Sequence, residues 1–234
     1  MAKSKSRAAR PRRPAETRER ILEAATGEFA ARGLAGARVD AIAERASVNK
    51  RMLYHYFGSK DALFTAVLER AYADIRSRED ALDLEGAPPR EAMRRLVRFT
   101  FGYFLDHPHF VALLASENLH RARHIAGSKR VVGINSPLIA ALERLLARGA
   151  RARAFRSGVD ALQLYVTIAG VCYFYFSNVH TLSAIFARDL MAADALRRRE
   201  AHVVEVVLGF LRPGAAVDSA APATQLVTNQ LLKR

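Results

Sequence analysis

The chain of 234 residues holds no tryptophan and one cysteine, Cys172. A lone cysteine closes no intramolecular disulfide, which fits a reducing compartment. Its aromatic neighbours in "VCYFYF" mark it as a buried, inert thiol. No run of eighteen apolar residues occurs, so no transmembrane helix is expected. The basic start "MAKSKSRAARPRRPAE" lacks the apolar core of a secretory signal. A cytoplasmic protein without a membrane partner is expected. Strand signals are scarce, with no Asn-Gly or Asp-Gly dipeptide and little period-two alternation. There is no Gly-rich phosphate loop, no HExxH and no cysteine pair for zinc. His120 and His124 stand one helical turn apart, but Arg121 and Arg123 flank them and no acid or cysteine follows nearby. No catalytic residue, no cofactor and no metal site are therefore expected. An enzyme on a helical scaffold stays only as a distant alternative.

Acidic charge is also in short supply. The formal net charge is +14. Residues 1–60 carry fourteen Lys and Arg against six acids, a net of +8 in about a quarter of the chain. Such asymmetry points to a polyanion as partner of the N-terminal part, or to a solubilising surface.

What is present reads almost wholly as helix, so the expected fold is all-α. Residues 1–14 hold six basic residues and two prolines and read as a disordered arm. "ETRERILEAATGEFAARG" puts Ile21, Leu22, Ala25 and Phe29 on one face and ends at Gly33. "VDAIAERA" turns Val39, Ile42 and Ala46 inward, and "KRMLYHYF" follows with Asn49 as N-cap. Gly58 stops that helix, and Ser59 can cap a longer one from Lys60 to about Leu82. "EGAPPRE" breaks the chain at 85–91. Helices near 90–106, 108–125, 135–149, 159–179 and 193–212 are expected beyond it, with 213–234 a disordered tail.

Two short helices joined by a tight turn on a longer first helix make a helix-turn-helix, whose second helix lies in the major groove. In "SVNKRMLYHYFGSK", Val48, Leu53 and Phe57 face the core, leaving Lys50, Arg51, Tyr54 and His55 outside. Lysine and arginine reach phosphates or guanine acceptors; tyrosine reaches a phosphate or a thymine methyl. Tyr54 could instead pack on the first helix.

The spaced set Ile21-Leu22-Glu23-Ala24-Ala25, Phe29, Gly33, Val39, Ile42-Ala43, Ala46, Leu53-Tyr54, Phe57, Lys60 and Leu63 resembles the DNA-binding domain of tetracycline-repressor-like (TetR) bacterial regulators. The resemblance implies a three-helix DNA-binding domain over 15–60 and a larger helical effector-binding and dimerisation domain over 61–212. It implies Tyr54 and Lys60 on phosphates, and Lys50, Arg51, Met52 and His55 toward the groove. Two departures stand out. Ser47 occupies the turn where the family usually has glycine, and Ala37-Arg38 replaces the usual Ser or Thr before the second helix. Arg38 could supply its own charge to a phosphate, so DNA contacts are expected from Arg38, Asn49, Lys50, Arg51, Met52, Tyr54, His55 and Lys60.

In the C-terminal part, "FTFGYFLDHPHF" and "LYVTIAGVCYFYFSN" are rich in aromatics. Small-molecule pockets are mostly apolar with a few aimed polar groups. Candidate lining residues are Phe99, Tyr103, Phe104, Phe110, Tyr165, Tyr173 and Phe174, with Glu117, Asn118, His120, Arg121 and Asn178 as polar anchors. Aromatics at such spacing also build plain cores. This region resembles a TetR subgroup that controls catabolism of pyrimidines, nicotinate-like heterocycles or aromatic acids. That implies an aromatic or heterocyclic acid as effector; for such an acid Arg121 or His120 is the expected partner, because charge-assisted pairs are the strong ones in a dry pocket. The resemblance further implies a homodimer through the last two long helices, where Val203, Val204, Val207, Leu208 and Leu211 form an apolar stripe. The expected protein is a regulator, most simply a repressor released from palindromic double-stranded operator DNA when a small molecule binds. An activator is the alternative within the same class.

Overall fold

The computed structural model describes residues 14–214, and all its regular elements are helices. The arm at 1–13 and the tail from 215 lie outside the described residues. α1 (Pro14–Gly36) is broken at Gly33, whose φ of 63° and ψ of 176° reverse the chain. α2 (Val39–Arg45), α3 (Lys50–Phe57) and α4 (Lys60–Asp80) follow. Ile21, Leu22, Phe29, Ile42, Leu53, Phe64 and Leu68 pack into a first core. The cap reading is seen directly: Asn49 Oδ1 accepts from Met52 N at 2.7 Å, and Ser59 Oγ from Ala62 N at 3.0 Å.

The second core is built on α5 (Pro89–Asp106), α6 (Pro108–Leu119), α8 (Lys129–Arg151), α9 (Ala161–Ser177) and α11 (Ala193–Phe210), with α7 (Arg123–Ala126) and α10 (Val179–Ile185) as short connectors. The two cores meet inside α4, because Leu68 belongs to the first and Ile75 to the second. α6 also serves both. Phe110 packs in the second core, whereas Leu113 is fully buried in the first. Ser116 Oγ accepts the Leu34 N–H at 3.2 Å, fixing α6 against the end of α1. The division at 60/61 thus falls at the head of α4, and the boundary between cores lies farther along that helix.

Three helix limits differ from expectation. The helix expected over 108–125 ends at Leu119, and Arg121 and Ala122 take left-handed φ values of 56°. The cause is Glu117, nearly sealed from solvent, whose carboxylate accepts from His124 N at 2.8 Å, Ile125 N at 3.0 Å and His124 Nδ1 at 2.6 Å. A buried carboxylate needs such donors, and the chain must fold back to supply them. α8 starts at Lys129 rather than 135, because Ser128 Oγ caps it through Val131 N, and Pro137 is absorbed within it. The helix expected over 159–179 ends at Ser177. Asn178 closes it by donating to the Phe174 carbonyl at 3.0 Å, and the axis bends by 65° into α10.

Burial pushes the Cys172 thiol up to about 12, in keeping with an inert thiol. No single helix among the described residues is long and apolar enough to cross a membrane. Since Leu113 fills the first core from α6, Leu113→Ala should destabilise that domain by about 3 kcal/mol. Hydrogen exchange should show faster opening of α1 and α4 than in the parent chain; unchanged protection there would refute the shared core.

Candidate DNA-binding face and effector cavity

α3 is anchored by the fully buried Leu53, with Val48 and Phe57 half-buried beside it. The Arg18 guanidinium lies 5.2 Å from the Phe57 ring centre and closes that side. The opposite face is open. Asn49, Lys50, Arg51, Met52, Tyr54 and His55 are exposed, and Met52 and Tyr54 each keep 40% of their surface in solvent. The exposed Arg38 lies at the head of α2 and the half-buried Lys60 at the head of α4. Lys50 Nζ is 3.0 Å from Asp40, an exposed pair. Lys60 Nζ donates to the Ala35 carbonyl at 3.2 Å, so it braces the α1–α2 turn from the opening of α4.

Both departures from the family pattern have local consequences. Ser47 adopts φ 52° in the turn, a left-handed conformation that a side chain tolerates at a cost. Arg38 offers no side-chain cap to α2; instead Glu28, 2% exposed, reaches across from α1 and accepts the Arg38 N–H at 3.1 Å. Glu28 also pairs with Arg32 at 3.3 Å and Arg45 at 3.7 Å. The sequence reading missed it, because an acid at that position in α1 looks like part of a solvated face.

A cleft of about 280 Å³, open to solvent along α9 where Val166 and Gly170 are exposed, lies between α4, α5, α6 and α9. Phe104, Phe110, Tyr165 and Tyr173 line it, as do Tyr72, Ile75, Arg76, Glu79, Thr100, Leu114, Val166, Ala169 and Gly170, none of which the sequence reading selected. Tyr103 is buried next to it but turns its hydroxyl to Asp74 at 3.0 Å and stacks on His107, with Phe99 tilted against its ring. The expected polar anchors lie elsewhere. Glu117 is occupied with α7, the exposed Asn118 donates to Leu114 O, and His120 caps the end of α6. Arg121 is exposed in the reversal before α7; Phe174 is 57% exposed; Asn178 closes α9. None of these six lines the cavity. Glu117 is buried against α7, His120 and Arg121 lie in the reversal after Leu119, and Phe174 and Asn178 belong to the outer face and end of α9.

The polar groups of the cavity come from α4. Arg76 and Glu79, 5% and 4% exposed, form an ion pair, and Arg76 also donates to the Tyr165 hydroxyl at 2.9 Å. Burial pushes the Glu79 carboxyl up to about 7 despite the neighbouring guanidinium, and pushes the Tyr72 phenol up to about 12. Among the described residues no cluster of His, Cys, Asp and Glu could hold a metal ion. His124, one of the two histidines weighed for that role, is spent on Glu117.

A further surface lies outside. Leu162, Val166 and Phe174 of α9 and Val206 and Phe210 of α11 are 44–57% exposed. The expected stripe Val203, Val204, Val207, Leu208 and Leu211 instead packs on the protein's own core.

Comparison with known proteins agrees with this architecture. Residues 21–67 match the model for bacterial regulatory proteins of the tetR family, and residues 89–207 match that for the tetracyclin repressor-like C-terminal domain. The HTH-type transcriptional repressor NicS of Pseudomonas putida is 38% identical over 196 residues, covering 84% of this chain and 92% of NicS. The chain belongs to the TetR family. The repressor SCO4008 of Streptomyces coelicolor is 40% identical over 110 residues, 46% of this chain and 53% of that one. Among solved structures, SCO4942 of Streptomyces coelicolor superposes with a TM-score of 0.61 at 27% identity, over 83% of this chain and 98% of that one. FadR of Bacillus subtilis, solved with stearoyl-CoA, shares the fold at a TM-score of 0.61 and 16% identity, over 83% and 99% of the two chains. TetR-family regulators bind operator DNA and small molecules and act as dimers, and the chain is a DNA-binding transcriptional regulator of the repressor type.

Glu28→Ala removes the acceptor of the Arg38 N–H and the partner of Arg32 and Arg45, and should cost about 1–3 kcal/mol. It should weaken DNA binding although no atom of Glu28 faces the open side of α3. Unaltered thermal stability together with unaltered DNA affinity would count against this role.

Proposed function

We propose that the chain binds a two-fold operator as a homodimer in the cytoplasm and leaves it when a small molecule fills the cavity behind α4 and α6. The observation that carries the DNA part is the division of α3 into two faces. Leu53 plugs the core, while Arg51, Met52, Tyr54 and His55 stand in solvent on a rigid, capped helix. In this arrangement Arg51 and His55 meet base edges, and Tyr54, Lys60 and Arg38 meet phosphates. Lys50 would exchange Asp40 for DNA.

The exposed apolar faces of α9 and α11 support a dimer made by an isologous pairing of these two helices. A two-fold pair would hold the recognition helices about 34–36 Å apart, one turn of DNA. Since α4 and α6 both line the cavity and both reach into the DNA-binding core, a ligand that favours another packing of these helices would shift the two domains and lower operator affinity. This is a population shift between two arrangements.

Fluorescence anisotropy against the DNA upstream of the gene, beside a scrambled duplex in about 150 mM salt, tests the operator reading. Roughly thousandfold discrimination is expected, and it should vanish in Arg51→Ala/Tyr54→Ala. Equal affinity for both duplexes would argue for a non-specific binder. Light scattering tests the interface: the parent chain should be a dimer at micromolar concentration and Phe174→Glu/Val206→Glu a monomer with weakened operator binding. A parent monomer would overturn the arrangement.

A further inference from the structure

α9 carries no charged side chain over its 17 residues, although Lys, Arg, Asp and Glu make up 26% of the chain. Leu164, Ile168, Cys172 and Tyr175 form its buried inner face. Leu162, Val166, Gly170 and Phe174 follow one another at helical spacing as a continuous outer stripe, and all four are exposed. An apolar stripe of this kind in water marks a surface that something covers. Two of its members, Val166 and Gly170, also form the rim of the cleft between α4, α5, α6 and α9. Val166 is 55% exposed, and a Cβ added at Gly170 would meet nothing within 4 Å. The single chain therefore gives the cleft no outer wall. Small-molecule sites bury roughly 70–90% of a ligand's surface, which a cleft open along one helix does not do.

Building on the homodimer and on the effector role of the cleft, we propose that the cleft is shared between two copies: α9 of a second copy lies across Val166 and Gly170 and supplies the missing wall. The occupant follows from symmetry and composition. In an isologous pairing the same patch faces itself, so the outer stripe of one α9 meets that of the other whichever way the two helices run. Val166 and Gly170 are the middle of that stripe, so the contact that joins the copies also closes the mouth. Gly170, without a side chain, lets a second backbone come close there. The apolar surface continues onto α11, where Phe210 shares a groove with Gln163 and Thr167 of α9 and Val206 is exposed beside it. A second copy thus has more to bury than one helix offers. By the two-fold, each copy closes the cleft of the other. A small molecule inside touches both copies at once, so its occupancy bears on the angle between them as well as on the packing of α4 and α6.

Thiol labelling reads the closure without any ligand. The parent chain is a quiet background, because Cys172 is fully buried and its thiol is pushed up to about 12. Ala169→Cys puts a thiol inside the cleft, Gly170→Cys puts one at its mouth, and Ala31→Cys puts a reference thiol on the exposed side of α1. Each full-length variant is treated with a fluorescent maleimide at micromolar protein concentration, and light scattering reads the oligomeric state of the same samples. In the dimer, the Gly170→Cys thiol should react at least about tenfold more slowly than the Ala31→Cys thiol, since it must wait for the interface to open. With Phe174→Glu/Val206→Glu added, the chain should be a monomer in which both cleft thiols react faster by a similar factor and the reference thiol is unchanged. The comparison of Gly170→Cys with Ala31→Cys decides alone if that background does not fold. A dimer in which Gly170→Cys labels as fast as Ala31→Cys, or in which Ala169→Cys gains no speed on going to the monomer, would overturn the shared cleft and leave the dimer standing on other surfaces. A monomeric parent chain would overturn the shared cleft and the dimer together.

Discussion

The buried carboxylate of Glu117 accepts from the His124 ring and from two backbone N–H groups, and with that it determines where α6 ends and how α7 returns. The His124 ring lies edge-on to Phe64, a central residue of the DNA-binding core. One turn earlier in α6, Leu113 enters the same core, and Leu114 and Phe110 face the cavity. A single helix of twelve residues thus touches both the volume where a small molecule fits and the scaffold that carries α3. Packed interiors rearrange between discrete arrangements more readily than they deform smoothly. Material placed against Phe110 and Leu114 therefore bears on Leu113 and Glu117, and through them on α1 and α4.

The helix-turn-helix was legible in the sequence because its caps, turn and period are local. Asn49 and Ser59 cap the helices they precede, Leu53 and Phe57 turn the inner face of α3 to the core, and Gly33 breaks α1 by taking positive φ. Cap, turn and period each act within four residues, so spacing reports them. Glu28 escaped because its partner, the Arg38 N–H, lies ten residues away across a turn. The ends of α6 and α9 escaped for a similar reason. Apolar periodicity runs on through Leu119 and Ser177, and what stops these helices is a buried acid in one and a C-terminal amide cap in the other.

The cavity was legible by half. Its aromatic side follows from runs that no solvated helix would carry, and Phe104, Phe110, Tyr165 and Tyr173 do meet there. Its polar side was misplaced, because Arg76 and Glu79 are three apart on α4 and look like any surface ion pair. Only tertiary packing, which lays α5 and α9 over that stretch of α4, turns a surface pattern into a buried one. Likewise the valine stripe of α11 proved to be the inward face, and the outward face carries only the spaced residues Val206 and Phe210, whose pattern is too sparse to read as an interface.

The two ion pairs, Lys50 with Asp40 and Arg76 with Glu79, show how burial divides the work. The first is half in water, contributes about 0–1 kcal/mol and is weakened by salt, so Lys50 can exchange a carboxylate for a phosphate with little loss. The second is 5% and 4% exposed beside aromatic rings, where each charge costs several kcal/mol to desolvate and removing one partner leaves the other uncompensated. An exposed pair yields to any anion that comes near, as a face meant to meet phosphates along its whole length must. A buried pair holds, because parting it would leave an uncompensated charge among apolar side chains. In the proposed function the charged lining of the effector cleft is thus supplied by α4, and the exposed basic residues around α3 would supply affinity for DNA and steering toward it.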